Sequence, residues 1–216
     1  MIKFLFVIIP WMVILNAEFV PDGWRLVKEA DGIQVYLKSV PGSEFSEIRG
    51  IRTVKTSLAS LVAIWSTPEK FPEWLYTCRK GVILKKDTEK SLRIYMESQF
   101  PWPLHNRDNI LLAELEQNPK DKKVTILLTG KPDSIEKKKG LVRVVKSFGK
   151  VEFTPLGDGE VQVVFDFFMD PGGAIAAPII NLFSVDFPFL SLKKMGEVVR
   201  QSEYQMAQFS FIQELP

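Results

Sequence analysis

Alternating apolar and polar positions mark most of this chain as β-strand. Leu92, Ile94 and Met96 alternate with Arg93, Tyr95 and Glu97, the period-two pattern of a strand with one buried face. Val161, Val163, Phe165, Phe167 and Met169 repeat it over 161–169. Two short runs, 24–28 and 33–38, flank Asp31-Gly32, a dipeptide that favours a tight hairpin turn. Residues 45–55, 82–84, 109–116 and 123–129 read as further strands, and 141–153 reads as one long strand. Turns are expected at Lys86-Asp87-Thr88, at Asn118-Pro119-Lys120-Asp121 and at Gly157-Asp158-Gly159. Helical spacing appears in two places. Ser57 can cap a helix through Leu58, Leu61, Val62 and Trp65, with a second short piece between Pro68 and Trp74. From about Gly173, Ile175, Ile179, Leu182 and Phe183 recur at helical intervals. The pattern resumes at Leu190, Met195, Val198 and Val199, with a kink or break expected at Pro188.

The first residues follow a different pattern. Lys3 precedes an unbroken apolar run of 12 residues, 4–15, and Leu15-Asn16-Ala17 follows. This is the layout of a secretory signal peptide over 1–17, cleaved after Ala17, and the run is short of the roughly 20 residues a membrane span needs. An uncleaved anchor or a buried first helix is the other reading. Cleavage would remove Lys3 and no acid, lowering the net charge from +2 to +1. The chain has no Asn-x-Ser/Thr acceptor. An exported, periplasmic protein is therefore expected, with a secreted or envelope-anchored one as alternatives. The remaining 18–216 is long enough for one domain with a substantial core.

Composition narrows the chemistry. A net charge of +2 points to no nucleic acid partner. One histidine, His105, and one cysteine, Cys78, leave no zinc set and no room for a disulfide. No glycine-rich phosphate loop is present, and no spacing singles out a carboxylate pair. We expect no catalytic residue, no metal and no cofactor. The sharpest polar features are Arg107-Asp108 and Arg143. Neighbours on a strand face opposite ways, so Arg107 and Asp108 cannot simply pair with each other. Each must clamp a loop to the sheet or meet a ligand. Arg143, within an apolar run, needs a carboxylate partner or a polar lipid head group.

Several of these residues occur in an order that resembles a START domain, the steroidogenic-acute-regulatory-related lipid-transfer family. They are Tyr95, Phe100-Pro101-Trp102-Pro103-Leu104-His105-Asn106-Arg107-Asp108, Val142-Arg143-Val144 and Asp170-Pro171-Gly172-Gly173, then an apolar helix through Pro178 and Asn181. The resemblance covers roughly 22–205. It implies an α+β helix-grip fold, a curved antiparallel sheet wrapped around a long C-terminal helix with a lipid-sized cavity between them. It makes Trp102 part of a loop at the cavity mouth. Sterol carriers of the family commonly hold a buried acid–arginine pair where this chain has Ile94 and Ala113. The resemblance thus gives no support for a sterol, and an acyl or other apolar ligand fits better.

The expectation is a monomer that binds and carries a lipid or other hydrophobic molecule, with transient membrane-surface contact. The ligand-binding candidates are Trp102, Arg107, Arg143, Phe165, Phe167, Phe183, Phe187 and Met195. Counting alternate ends of the meander places Lys131, Lys137, Lys138 and Lys139 beside Trp102. The rival readings are a polyketide cyclase or aromatase-like enzyme on the same scaffold, and a protein-interaction module whose groove its own side chains fill.

Overall fold

The hairpin signals organise the structure from its first described residues. The computed structural model describes residues 19–20, 23–173 and 177–215. The expected leader, 1–17, lies outside them. β1 (Phe19–Val20) pairs with β2 (Trp24–Ala30), which turns into β3 (Ile33–Ser39) through Asp31 and Gly32. Both turn residues have φ above 50°, as a primed hairpin turn requires. β4 (Ser46–Lys55) leads to α1 (Leu58–Trp65), where Ser57 Oγ accepts from Ser60 N as an N-cap. A 3-10 turn (Pro68–Lys70) runs into the one-turn α2 (Phe71–Trp74). The meander follows as β5 (Cys78–Thr88), β6 (Ser91–Ser98), β7 (Asn106–Gln117) and β8 (Val124–Gly130). Then come β9 (Leu141–Arg143), β10 (Lys146–Gly157), β11 (Glu160–Asp170), α3 (Ala177–Val198) and α4 (Ser202–Gln205).

The strands form one sheet in the order β1-β2-β3-β4-β11-β10-β8-β7-β6-β5, antiparallel along that path. Helix α3 lies across its inner face. Leu192, Met195, Val198 and Val199 pack into one core with Ile33, Val35, Val163 and Phe165. The helix-grip α+β fold expected from the resemblance is the one observed.

Three local expectations are corrected. The turn after β5 falls at Glu89-Lys90, because Lys86 and Thr88 still pair with β6. Residues 141–153 are two strands. β8 begins its pairing with β7 only at Leu111, which leaves Asn106–Asp108 without a partner there, and β9 takes that edge in parallel. Val144 and Ser147 both turn inward, so the alternation slips between β9 and β10. Finally, α3 runs through Pro188 without a break. Pro188 cannot donate to the carbonyl one turn back, but its ring sits against Gly50 of β4 and the helix is held by packing. A Cβ on Gly50 would stand 2.6 Å from Leu192 Cδ1 and 3.0 Å from Pro188 Cβ. Arg52 pins the next turn, its Nη1 donating to the Leu192 and Lys193 carbonyls at 2.6 and 2.9 Å. Gly50→Val should push the helix off β4 and cost about 1–3 kcal/mol, read as a lower urea midpoint. An unchanged midpoint would mean that α3 yields freely there.

Candidate functional site

The sheet and the first half of α3 leave a gap where β6, β7 and β11 end. It is a cavity of about 90 Å³. Its walls are mostly apolar: Met96, Phe167 and Met169 from the strands, Phe183 and Phe187 from α3, and Phe100 from the loop between β6 and β7. Ligand pockets for drug-sized molecules run to roughly 300–1,000 Å³. A whole lipid therefore enters only if the loop or the helix moves outward.

Four of the eight expected ligand residues meet at this cavity: Arg107, Phe167, Phe183 and Phe187. Phe165 lies one step deeper, its ring 5.9 Å from Phe167, 6.0 Å from Phe187 and 5.7 Å from Trp65. Met195 is fully buried in the core under α3, away from the cavity. Trp102 is 92% exposed at the tip of its loop and does not line this cavity. The loop residue that reaches inward is Phe100, 6.1 Å from the Phe183 ring and 4.5 Å under the Arg107 guanidinium. Proline-flanked Trp102 was the louder signal in sequence; Phe100, two residues earlier, was the equally available one.

Arg107 and Asp108 face opposite sides of β7, as strand geometry dictates. Arg107 is buried at the cavity. Its Nε donates to Pro171 O and its Nη2 to Gly172 O, both at 3.2 Å, and Nη1 donates to His105 O. It thus ties the segment that leads into α3 to the β6–β7 loop. Burial pulls its pKa down. On the outer side Asp108 accepts from Arg143 Nε and Nη2, both at 2.9 Å. The remaining donors of Arg143 go to the Pro132, Ile135 and Glu136 carbonyls, which fastens the 131–140 connection over the sheet. Arg143 therefore lies behind the cavity wall.

Tyr95, also on the outer face, is buried under that connection. Lys138 Nζ stands 3.9 Å from its ring centroid and 3.5 Å from Glu97 Oε1, which accepts from Tyr95 Oη at 2.8 Å. Burial first, then that hydrogen bond, raise the Tyr95 pKa. Simple alternation had put Tyr95 on the solvent side. Cys78 is buried and its thiol is pushed up to about 11 by burial, the opposite of an activated thiolate. Ile94 and Ala113 are both buried in the apolar inner face. Sequence reasoning missed Asn109, a buried polar side chain on the cavity wall two residues after Arg107.

The START domain model matches residues 13–203 of the chain. An uncharacterised protein of Pseudomonas aeruginosa is 31% identical over 172 residues, 80% of this chain and 84% of its own length. The phosphatidylcholine transfer protein of Mus musculus is 23% identical over 73% of this chain and 75% of its own. Among solved structures, the STAR-related lipid transfer protein of Xanthomonas axonopodis superposes with a TM-score of 0.77 at 30% identity, over 83% of this chain and 100% of that one. Human StAR-related lipid transfer protein 5 shares the fold, with a TM-score of 0.73 at 16% identity over 86% and 90% of the two chains. These relationships support a lipid-binding role.

Proposed function

This chain belongs to the START domain family, and from that premise we propose that it carries a hydrophobic ligand, a lipid, between the inner face of the sheet and α3. One observation carries the reading: Phe167, Phe183, Phe187, Met96 and Met169 surround a gap that α3 and the 99–105 loop help to close. The action is passive binding, without a covalent step. Each methylene moved out of water contributes about 0.8 kcal/mol, which offsets the cost of opening a 90 Å³ gap. That small volume equally favours the module with a filled groove. Native mass spectrometry of the purified protein separates the two. A co-purifying lipid supports carriage; bare protein that takes up no lipid from vesicles refutes it.

We read the carrier as exported and cleaved after Ala17, because of the 4–15 apolar run, and as a monomer. The same mass measurement on envelope-fraction protein tests this. A chain beginning at Met1 would refute cleavage after Ala17, and a dimer mass would refute the monomer.

Loading from a membrane needs a surface that meets one. Trp102 projects into solvent at the end where Leu141 pairs with Asn106 and Lys138 reaches Glu97. Indole suits the lipid–water boundary, and lysines are drawn to anionic lipid at about 1 kcal/mol each before screening. Lys138 is engaged with Tyr95 and Glu97, so Lys137 and Lys139 are the informative pair. Changing both to Glu should weaken binding to anionic vesicles at low salt about tenfold or more, with lipid occupancy retained. Vesicle binding equal to that of the wild type would reduce the segment to a solvated loop.

A further inference from the structure

The cavity wall is mostly apolar, with Ser46, Thr77, Ser98, Gln99, Asp108 and Ser184 among its polar residues, and two buried side chains on the inner face of β7, Arg107 and Asn109, are incompletely partnered among the described residues. Arg107 is 3% exposed. A guanidinium has five N–H donors. Three hydrogen bonds are made, all to backbone carbonyls, and two donors remain among the described residues. No carboxylate among those residues forms an ion pair with it. The neighbouring Asp108 has both oxygens on Arg143 across the sheet, and Asp170, on the segment that Arg107 holds, accepts from Gly172 N. The contrast with Arg143 is direct, because Arg143 is buried with all five donors used and a carboxylate in place.

Asn109 follows two residues later, about 7 Å along the same face. It is 6% exposed and lines the cavity. Its Oδ1 accepts from Ser147 Oγ at 3.1 Å, while its Nδ2 is buried with no partner among the described residues. Unmade hydrogen bonds of buried donors are costly, and such groups are few in folded proteins. Among the described residues, a buried cation without an anion and a buried amide side chain without an acceptor thus share one cavity wall.

We propose that Arg107 and Asn109 form a head-group site for the anionic oxygens of an amphiphile, a carboxylate or a phosphate ester, with its apolar part along Phe167, Phe183 and Phe187. The inference rests on the carriage reading and names the ligand class within it. An anionic oxygen accepts from Asn109 Nδ2 and from the spare Arg107 donors, and it supplies the counter-charge that the described residues do not provide. Charge-assisted bonds of this kind are the strong ones. Uncharged lipids can accept from Asn109 Nδ2 through an ester carbonyl or a hydroxyl but supply no counter-charge.

The test measures uptake from neutral carrier vesicles doped with one of three probes: dioleoyl phosphatidylglycerol, oleate or dioleoylglycerol. The wild type should take up at least one anionic probe about tenfold or more over dioleoylglycerol. Which anionic probe wins distinguishes a phosphodiester from a carboxylate. Asn109→Leu removes the amide at similar volume, and Asn109→Asp places a carboxylate beside Arg107 that competes with the ligand. Both should bring the anionic-to-neutral ratio towards one. Asn109→Asp gains a partner in Arg107, so its urea midpoint should not fall, and it remains informative even if Asn109→Leu folds poorly. Uptake of all three probes without preference, or a preference unchanged in both variants, overturns the head-group site and leaves carriage standing. No uptake of any probe by the wild type overturns both.

Discussion

Asp108→Asn should destabilise this protein by about 3–5 kcal/mol, the cost of leaving one member of a buried ion pair without the other. Asp108 is 1% exposed and holds Arg143 through two parallel 2.9 Å bonds. An amide can accept one of those bonds but turns its own donors toward the other guanidinium nitrogen. The cation stays buried, because its other three donors are fixed on the 132–136 backbone. Natural domains are stable by about 5–15 kcal/mol, so the loss is a large share of the total. Arg143→Met should cost a similar amount and also free three loop carbonyls and the β9 pairing with Asn106–Asp108. Arg143→Lys keeps the charge but not the planar fork, so it should fall between. The Asp108→Leu/Arg143→Met double variant should lose less than the sum of the single losses, because neither charge remains unpaired. Urea unfolding gives the energies, and protease sensitivity of 131–140 reports whether the loop comes loose. Single variants within about 0.5 kcal/mol of the wild type would show that the pair holds nothing.

That pair also marks what a sequence can and cannot disclose. Signals that act within a few residues were legible: the Asp31-Gly32 hairpin, the Ser57 cap, and the inward face of Val161, Val163, Phe165 and Phe167. The ordered motif from Tyr95 to Asn181 was legible as a resemblance and led to the right fold. Arg143 could be recognised as needing a partner, but its partner depends on the parallel docking of β9 onto the overhanging end of β7. Residue spacing along one strand cannot show that docking. The same docking buries Tyr95 on the face that alternation assigns to solvent. Pro188 was read by its local rule, and the packing of α3 on Gly50 outweighed it. The N-terminus of α1 is finished by Glu214, whose carboxylate accepts from Leu58 N and Ala59 N at 2.9 and 2.8 Å from the far end of the chain. The cavity was legible in its aromatic wall and in Arg107, but not in Asn109. Asn109 stands next to the conspicuous Arg107-Asp108 pair, and only the register with Met96 and the bond to Ser147 turn it into a wall residue.

Phe167→Asp should abolish lipid loading and lower stability by several kcal/mol. Phe167 is the strand residue that joins the core to the cavity. Its ring stacks on Phe165 at 5.9 Å with planes 15° apart, and its side chain lines the cavity opposite Phe183 and Phe187. Gly149 on β10 leaves the room for it, since a Cβ there would come within 2.8 Å of Phe167 Cδ2. A carboxylate at 167 would sit among Phe165, Phe187 and Ile48, where burial opposes its charge, and would replace apolar wall with a repulsive charge for any acyl chain. The cation on the wall, Arg107 of β7, is held by three loop carbonyls. Phe167→Leu separates the two consequences. It keeps the wall apolar at reduced volume, so the fold should hold at a cost of about 1–3 kcal/mol while bound lipid persists. Urea midpoints and native mass spectra of the three proteins decide the matter. If Phe167→Asp retained wild-type loading and stability, the ligand would lie elsewhere than between β11 and α3. A comparable loss of loading in both variants would point instead to the shape of the ring as the feature the lipid requires.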